Sequence, residues 1–139
     1  MTPPATSKLH VADLMTIDPI VVSVDATIEE AEEQLRYHRV TGLPVVDLSG
    51  RLVGVISQTD LLYLAVPTVQ ALIRHRSSGI RVGEVMSVPP VTIPTAATIQ
   101  EAARRMHEGH LHRLVAVDDY GRPIGVISAM DFVALAAEG

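Results

Sequence analysis

The chain has 139 residues, of which 47% are hydrophobic and 19% charged, with a formal net charge of −5. This composition predicts a folded globular protein, and the acidic balance makes a broad nucleic-acid surface unlikely. The sequence holds no cysteine, which excludes disulfides, thiolate nucleophiles and cysteine-ligated zinc. No apolar run could span a bilayer and the start lacks the apolar region of a secretory signal, so we expect a cytoplasmic protein without a membrane anchor.

The first half of the chain predicts alternating short strands and helices after a frayed start over residues 1–10. In chain order we expect a helical turn at Val11–Met15, a strand at Pro19–Ser23, a helix that begins at Asp25 or Thr27 and ends near His38, a hairpin of strands Leu43–Val46 and Leu52–Ile56, and a helix over Leu61–Ala65. Thr27 and Glu30 have the spacing of a capping box, which favours a helix start. Because both hairpin strands are almost wholly apolar, we expect their sheet to be covered on both faces.

A connector over residues 67–81, with a helix from Pro67 to Ile73, leads to a second half that repeats the same order. Its predicted elements are a strand at Val91–Ile93, a helix started by Thr98, and a hairpin of Leu114–Val117 and Ile124–Ile127. Its helix should bury a stripe of residues at helical spacing, namely Ile99, Ala102, Ala103 and Met106.

The two halves are copies of one sequence unit. Val11 and Val82 stand 71 positions apart, and this register runs without a gap from Val11 to Ala65. It aligns Met15 with Met86, for example. Such a long gapless register predicts two β-α-β-β-α units related by a pseudo-twofold axis. We expect the two units to pack together, because each alone would bury too little surface to be stable.

The most informative repeated stretch is G-V-I-S-x-x-D, in which a short apolar strand turns directly into a helix. Ser57 and Asp60 in the first copy, and Ser128 and Asp131 in the second, have the spacing of a capping box. A helix start with free N–H groups, a hydroxyl and a carboxylate can also hold a phosphate and a ribose. A plain helix cap and a ligand site therefore both fit these residues.

The order of motifs resembles a known family. The chain resembles the cystathionine-β-synthase (CBS) domain in four successive motifs, D-L-M, P-I-V-V-S-V, G-L-P-V-V-D and G-V-I-S-x-x-D. Its two copies resemble a CBS pair, or Bateman module. The resemblance covers Val11 to Ala136 and implies an α/β (α+β) fold. The first repeat is expected over residues 11–66 and the second over 82–139.

The resemblance implies a regulatory module that binds AMP, ADP, ATP or S-adenosylmethionine in clefts between its halves, with no obligatory cofactor. It assigns the ribose hydroxyls to the two aspartates, the phosphate to nearby hydroxyls and a basic pair, and the adenine to apolar residues after the first proline. The ligand-binding residues so implied are Ser57, Thr59, Asp60, Ser128, Asp131, His112, Arg113, Ile20, Val22, Val91 and Ile93. Met130 replaces the hydroxyl of Thr59 in the second copy, and the first copy has no basic pair, so we expect one good site and one poor site.

Two basic clusters allow other interpretations. His107, His110 and His112 are close in sequence, but they lack a cysteine and have only Glu108 as a nearby carboxylate, which disfavours a metal site. The stretch Arg74–Arg76 could meet a partner or a phosphate, although a polar helix end is the simpler interpretation.

No nucleophile elbow, P-loop or dinucleotide-binding motif is present, so we expect no enzyme. The main hypothesis is a sensor of an adenosine compound that forms a homodimer, a flat disk of four units, and acts on a separate effector protein. The exposed faces of Leu61–Leu64 and Phe132–Leu135 would suit that dimer. The alternatives are a structural interaction module without a ligand and an enzyme with a metal at the three histidines.

Overall fold

The structure is a computed structural model that describes residues 9–74 and 79–138. It has a mixed α+β fold. The elements preceding the second repeat are α1 Val11–Leu14, β1 Thr16–Ile17, β2 Val22–Ser23, α2 Ile28–His38, β3 Gly42–Val46, β4 Leu52–Ser57, α3 Gln58–Tyr63 and α4 Pro67–Ile73. The remaining elements are α5 Val82–Val85, β5 Thr92–Pro94, α6 Ile99–Gly109, β6 Arg113–Val117, β7 Pro123–Ser128 and α7 Ala129–Glu138. In the described part of the chain, no helix is long and apolar enough to cross a membrane.

The chain divides into two compact units whose limits fall after Pro19 and after Pro90, two prolines that match in the repeat register. The first unit spans Ile20–Pro90 and contains a sheet of order β2-β3-β4. The second unit combines the residues up to Pro19 with those from Val91 onward, and its sheet has the order β1-β7-β6-β5. In both sheets, a parallel strand pair stands beside the antiparallel hairpin, β2 with β3 and β5 with β6.

The opening segment of each sequence repeat, residues 11–19 in the first and 82–90 in the second, packs in the unit built mainly from the other repeat. We call these two stretches the exchanged segments. Strand β1 pairs antiparallel with β7, with Thr16 opposite Val126. At the matching place in the first unit, Ser87 and Val55 exchange both backbone hydrogen bonds, at 2.8 and 3.1 Å. The sequence predicted neither strand β1 nor this exchange of segments.

A methionine from each exchanged segment lies against a glycine of the repeated motif. A Cβ placed on Gly54 would stand 2.6 Å from Met86 Sδ, and one placed on Gly125 would stand 2.3 Å from Met15 Sδ. Both distances are far shorter than a van der Waals contact, so a side chain at either position would collide with the segment. The glycines thus allow the exchanged segment to lie flat on the strand.

Each unit has its own aliphatic core between its sheet and its helix. In the first unit, Leu43, Val45 and Ile56 of the sheet lie under Ala31 and Leu35 of α2, and all five are buried. The central residues of β3 are buried in succession, as expected for a strand covered on both faces.

The second unit buries Ile93, Leu114, Ala116 and Ile127 beneath α6. Ile99, Ala102 and Met106 form the buried face of that helix, as predicted. Ala103 was predicted in the same stripe, but it is exposed. The helix therefore buries a narrower face than its apolar residues suggest.

The main helices begin and end as the sequence indicates. Thr27 Oγ1 accepts a hydrogen bond from Glu30 N at 3.2 Å, and Thr98 Oγ1 accepts one from Glu101 N at 3.1 Å. Helix α2 ends at His38, and α4 has the predicted limits. The first parallel strand is shorter than predicted, with two residues in β2.

The tight turns of the two hairpins are alike. Asp47 Oδ1 accepts hydrogen bonds from the hydroxyl of Ser49 and from Arg51 N, and these bonds lower the pKa of its carboxyl. In the second unit, the backbone N–H of Arg122 chiefly lowers the pKa of Asp118. An aspartate therefore fixes each hairpin turn through its side chain.

The predicted frayed start and the basic stretch Arg74–Arg76 fall largely outside the described residues. Leu9 and His10, the last two residues of the expected frayed start, have partners. Leu9 O accepts a hydrogen bond from Ile99 N at 3.2 Å, and His10 forms a β-bridge with Thr98. Leu9 and His10 are thus part of the folded second unit.

Candidate functional site

We call the Ser-x-x-Asp turn between the last strand and the following helix of each unit a corner; the two corners are Ser57–Asp60 and Ser128–Asp131. In the first unit, the corner is a capping box at the start of α3. Asp60 N donates to Ser57 Oγ at 3.2 Å, while Asp60 Oδ2 accepts from Ser57 N at 2.8 Å and from Ser57 Oγ at 2.9 Å. The strand β4 ends at Ser57 because its hydroxyl and the acid three residues later satisfy the first N–H groups of the helix. The capping role of both residues is confirmed.

A third residue completes this corner. Ser87 Oγ donates to Asp60 Oδ1 at 2.9 Å, so both oxygens of the carboxylate accept hydrogen bonds. Ser87 belongs to the exchanged segment and lies 27 residues from Asp60 in sequence. No local sequence pattern connects the two residues, so Ser87 could not be predicted as part of the site.

In the second unit, the corner at the start of α7 has a simpler set of contacts. Asp131 Oδ2 accepts from Ser128 N at 2.7 Å and from Ser128 Oγ at 3.2 Å. Among the described residues, no hydrogen bond is recorded to Asp131 Oδ1. This corner therefore presents a carboxylate oxygen that can accept a further donor.

Arg113 lies beside the second corner. It is the partner of Ser128 in the antiparallel register of β6 and β7, and residues directly opposite each other project to the same face of a sheet. Arg113 is half-buried, and burial lowers the pKa of its guanidinium from the usual value. At the same register position, the first unit places Gly42 opposite Ser57. The second unit therefore offers a hydroxyl, a carboxylate and a guanidinium together.

The neighbouring site residues differ in exposure. His112 is exposed, and its carbonyl accepts a hydrogen bond from Ala129 N at 2.9 Å. Thr59 is exposed at the second position of α3. Met130, at the same place in α7, is 69% exposed.

Two of the four apolar residues expected to stack on adenine are in the wrong place for it. Val22 and Ile93 are buried in the cores of the first and second units. Ile20 and Val91 are 41% and 43% exposed, because they precede the parallel strands. Accessible apolar surface after the two prolines therefore comes from Ile20 and its neighbour Val21 in the first unit and from Val91 in the second.

The three histidines considered as metal ligands lie at the end of α6 and just beyond it. His110 has a left-handed backbone with φ of 53° and closes the helix. Within the residues that the structure describes, no three histidine, cysteine, aspartate or glutamate side chains form a group that could hold a metal ion.

Comparison with known proteins assigns the family. The CBS domain family matches residues 11–66 and 82–138, so the chain belongs to the CBS-domain proteins and carries two repeats. A CBS domain-containing protein of Dictyostelium discoideum is 31% identical over 132 residues, which cover 92% of this chain and 91% of the relative. The inosine-5'-monophosphate dehydrogenase of Korarchaeum cryptofilum is 29% identical, but the match covers only 21% of that enzyme.

Solved structures with the same fold include two that hold adenosine compounds. CBSX2 in complex with AMP has a TM-score of 0.81 and 35% identity, and the match covers 93% of this chain and 96% of that one. The CBS domain pair of protein MJ0100, in complex with 5'-methylthioadenosine and S-adenosyl-L-methionine, also has a TM-score of 0.81, with 25% identity and coverage of 94% and 97%.

Proposed function

We propose that this protein is a regulatory module that binds an adenosine compound at its Ser-x-x-Asp corners. The observation that carries this proposal is the arrangement in the second unit, where Asp131 accepts hydrogen bonds from Ser128 at the start of a helix and Arg113 lies directly opposite Ser128 in the sheet. The adenosine ligands bound by two CBS pairs of the same fold support the choice of ligand class.

Each group in the second corner has a chemical task in this proposal. Asp131 accepts hydrogen bonds from the ribose hydroxyls, since a carboxylate oxygen accepts them and is a stronger acceptor than a neutral group. Arg113 pairs with phosphate, for which a guanidinium fork is well shaped. The exposed side chains of Ile20 and Val91 provide apolar surface for the adenine base in the first and second units.

A panel of adenosine compounds tests the proposal. AMP or S-adenosylmethionine should raise the melting temperature in a concentration-dependent way, because a ligand that binds only the folded state stabilises it by mass action. The measurement is thermal unfolding with AMP, ATP, S-adenosylmethionine and guanosine monophosphate as the base control. If millimolar concentrations of every adenosine compound leave the melting temperature unchanged, the proposal is wrong.

A structural interaction module without a ligand is the second candidate. The observation that favours it is the first corner, where the hydroxyls of Ser57 and Ser87 and the amide of Ser57 already satisfy both oxygens of Asp60. A carboxylate whose two oxygens both have donors from the protein can serve as a helix cap without any ligand. The same thermal panel separates the two candidates.

We also propose that the module forms a homodimer through α3 and α7 and acts on a separate effector protein. Leu62 is 70% exposed and Val133 is 56% exposed on these helices. Grooves of about 440 Å³ between α2 and α3 and about 250 Å³ between α6 and α7 lie beside them. Leu64, expected on the same exposed face, is buried and contributes nothing to it.

Charged residues on these two helices should break the dimer. Leu62→Glu or Val133→Glu should convert a species of twice the chain mass into a monomer, because a buried unpaired carboxylate is costly. Light scattering after size-exclusion chromatography measures the change. Leu48→Glu is the matched control, since Leu48 is exposed at a hairpin turn. A wild-type protein that is monomeric at micromolar concentration would contradict the dimer.

A further inference from the structure

The two corners differ at one oxygen of the acid. In the first unit, Asp60 Oδ1 accepts a hydrogen bond from Ser87 Oγ at 2.9 Å, and Oδ2 accepts two from Ser57. In the second unit, Asp131 Oδ2 also accepts two bonds from its serine, while no bond to Oδ1 is recorded among the described residues. The difference lies in the contact made by the exchanged segment.

This difference comes from the side chain and not from the backbone. Ser87 and Thr16 hold equivalent places in the repeat, 71 positions apart. Ser87 lies opposite Val55, and Thr16 lies opposite Val126, so both segments run along their strands in the same register. Yet the serine hydroxyl reaches the acid of its corner, and no such bond is recorded for the threonine hydroxyl.

A ribose presents two neighbouring hydroxyl groups that need acceptors, and a carboxylate oxygen can accept two hydrogen bonds. At both corners Oδ2 already accepts two bonds from the serine, so Oδ1 is the oxygen left for the diol. At Asp60, Oδ1 already has a donor from the protein itself, the hydroxyl of Ser87. A bound diol must displace the hydroxyl of Ser87 or share its acceptor. Removing a hydrogen bond to a carboxylate costs free energy that is subtracted from the affinity.

We propose that Ser87 is a specificity-determining residue that competes with a ribose diol for Asp60, so that the corner at Asp131 binds an adenosine compound more tightly. The inference rests on the proposed function, because it needs a diol ligand at both corners. It adds a cause of unequal affinity that is independent of Arg113. Ser87 acts in this proposal through its hydrogen bond to Asp60.

Calorimetric titration of the full chain with AMP tests this competition. Ser87→Ala should tighten the weaker site about three- to tenfold, which corresponds to the loss of one competing hydrogen bond. Ser87→Thr, which installs the residue found at Thr16, should give a similar gain. Thr16→Ala is the matched control, and we expect it to leave both affinities unchanged.

A ligand that lacks one hydroxyl provides a sharper readout. With 2'-deoxy-AMP the gain from Ser87→Ala should shrink, because only one hydroxyl then needs an acceptor. A loss of Asp60's packing would change the affinities for both ligands equally. Ser87 is exposed and its backbone bonds to Val55 do not use the hydroxyl, so both variants should fold and lose no more stability than one exposed hydrogen bond contributes.

The possible failures are distinct. If AMP binds and Ser87→Ala leaves the weaker site unchanged or weakens it further, the competition is overturned and the proposed function stands. If neither the wild type nor any variant binds AMP or S-adenosylmethionine, the proposed function falls and the competition falls with it. Asp60→Asn assigns the sites, because it should affect only the weaker one.

Discussion

Replacing Asp131 by asparagine should weaken the tighter AMP site about 10- to 100-fold, the effect expected when a hydrogen bond to a charged acceptor is lost. Asparagine has the shape of aspartate, but it lacks the charge and presents one acceptor oxygen where the carboxylate has two. Oδ2 of Asp131 accepts hydrogen bonds from Ser128, so Oδ1 is the oxygen available to a ligand. If the single oxygen of asparagine bonds to Ser128, an NH2 group, which is a donor, stands where the ligand needs an acceptor. Calorimetry with AMP measures the change.

Asp119→Asn is the matched control for this experiment. It removes the same charge from the same unit, at an exposed position of the hairpin turn. We expect the control to bind AMP as the wild type does. Arg113→Ala should weaken the binding of AMP more than that of adenosine, since only AMP carries the phosphate. If Asp131→Asn binds AMP with wild-type affinity, the corner is a helix cap alone.

Gly125→Ala should lower the free energy of unfolding by about 1–3 kcal/mol, the usual cost of forcing an extra carbon into a packed site. The added Cβ would stand 2.3 Å from Met15 Sδ, 2.8 Å from Met15 Cγ and 3.1 Å from the backbone oxygen of Thr16. The methionine can move, but the backbone oxygen belongs to the paired strand β1. The Met15 side chain must therefore move out of its packed position, and the backbone oxygen of Thr16 must give by a few tenths of an ångström. Urea denaturation measures the loss.

Gly79→Ala is the control, because a Cβ at Gly79 has no atom within 4 Å. A double-mutant cycle with Met15→Ala isolates the contact, since the two substitutions should be far from additive if they act on the same space. Equal stability of Gly125→Ala and Gly79→Ala would contradict the close packing of the segment on the strand.

Local sequence signals predicted most of the regular structure. The capping threonine and aspartate of each repeat have side-chain partners at the predicted spacing. The limits of α2 and α4 also agree with prediction, because capping and proline signals act within a single turn of chain. The duplication made the prediction stronger, since each copy supported the interpretation of the other.

Longer-range features could not be predicted in the same way. The pairing of Thr16 with Val126 joins residues that are distant in sequence, and two-residue strands leave no periodic pattern. The contact of Ser87 with Asp60 depends on this pairing, so sequence analysis had no signal for it. Val22 and Ile93 are buried because their side chains enter the cores of the two units from the parallel strands β2 and β5.

The exchange of opening segments has a consequence for how the molecule can come apart. A protease that cut the connector after Arg74 would leave one fragment ending there and another beginning after it. Each unit would still contain residues of both fragments. Strand β1 of the first fragment pairs with β7 of the second, and Ser87 of the second fragment bonds to Val55 of the first. The two fragments of the nicked protein should therefore stay associated, because each unit is built from residues of both sequence repeats.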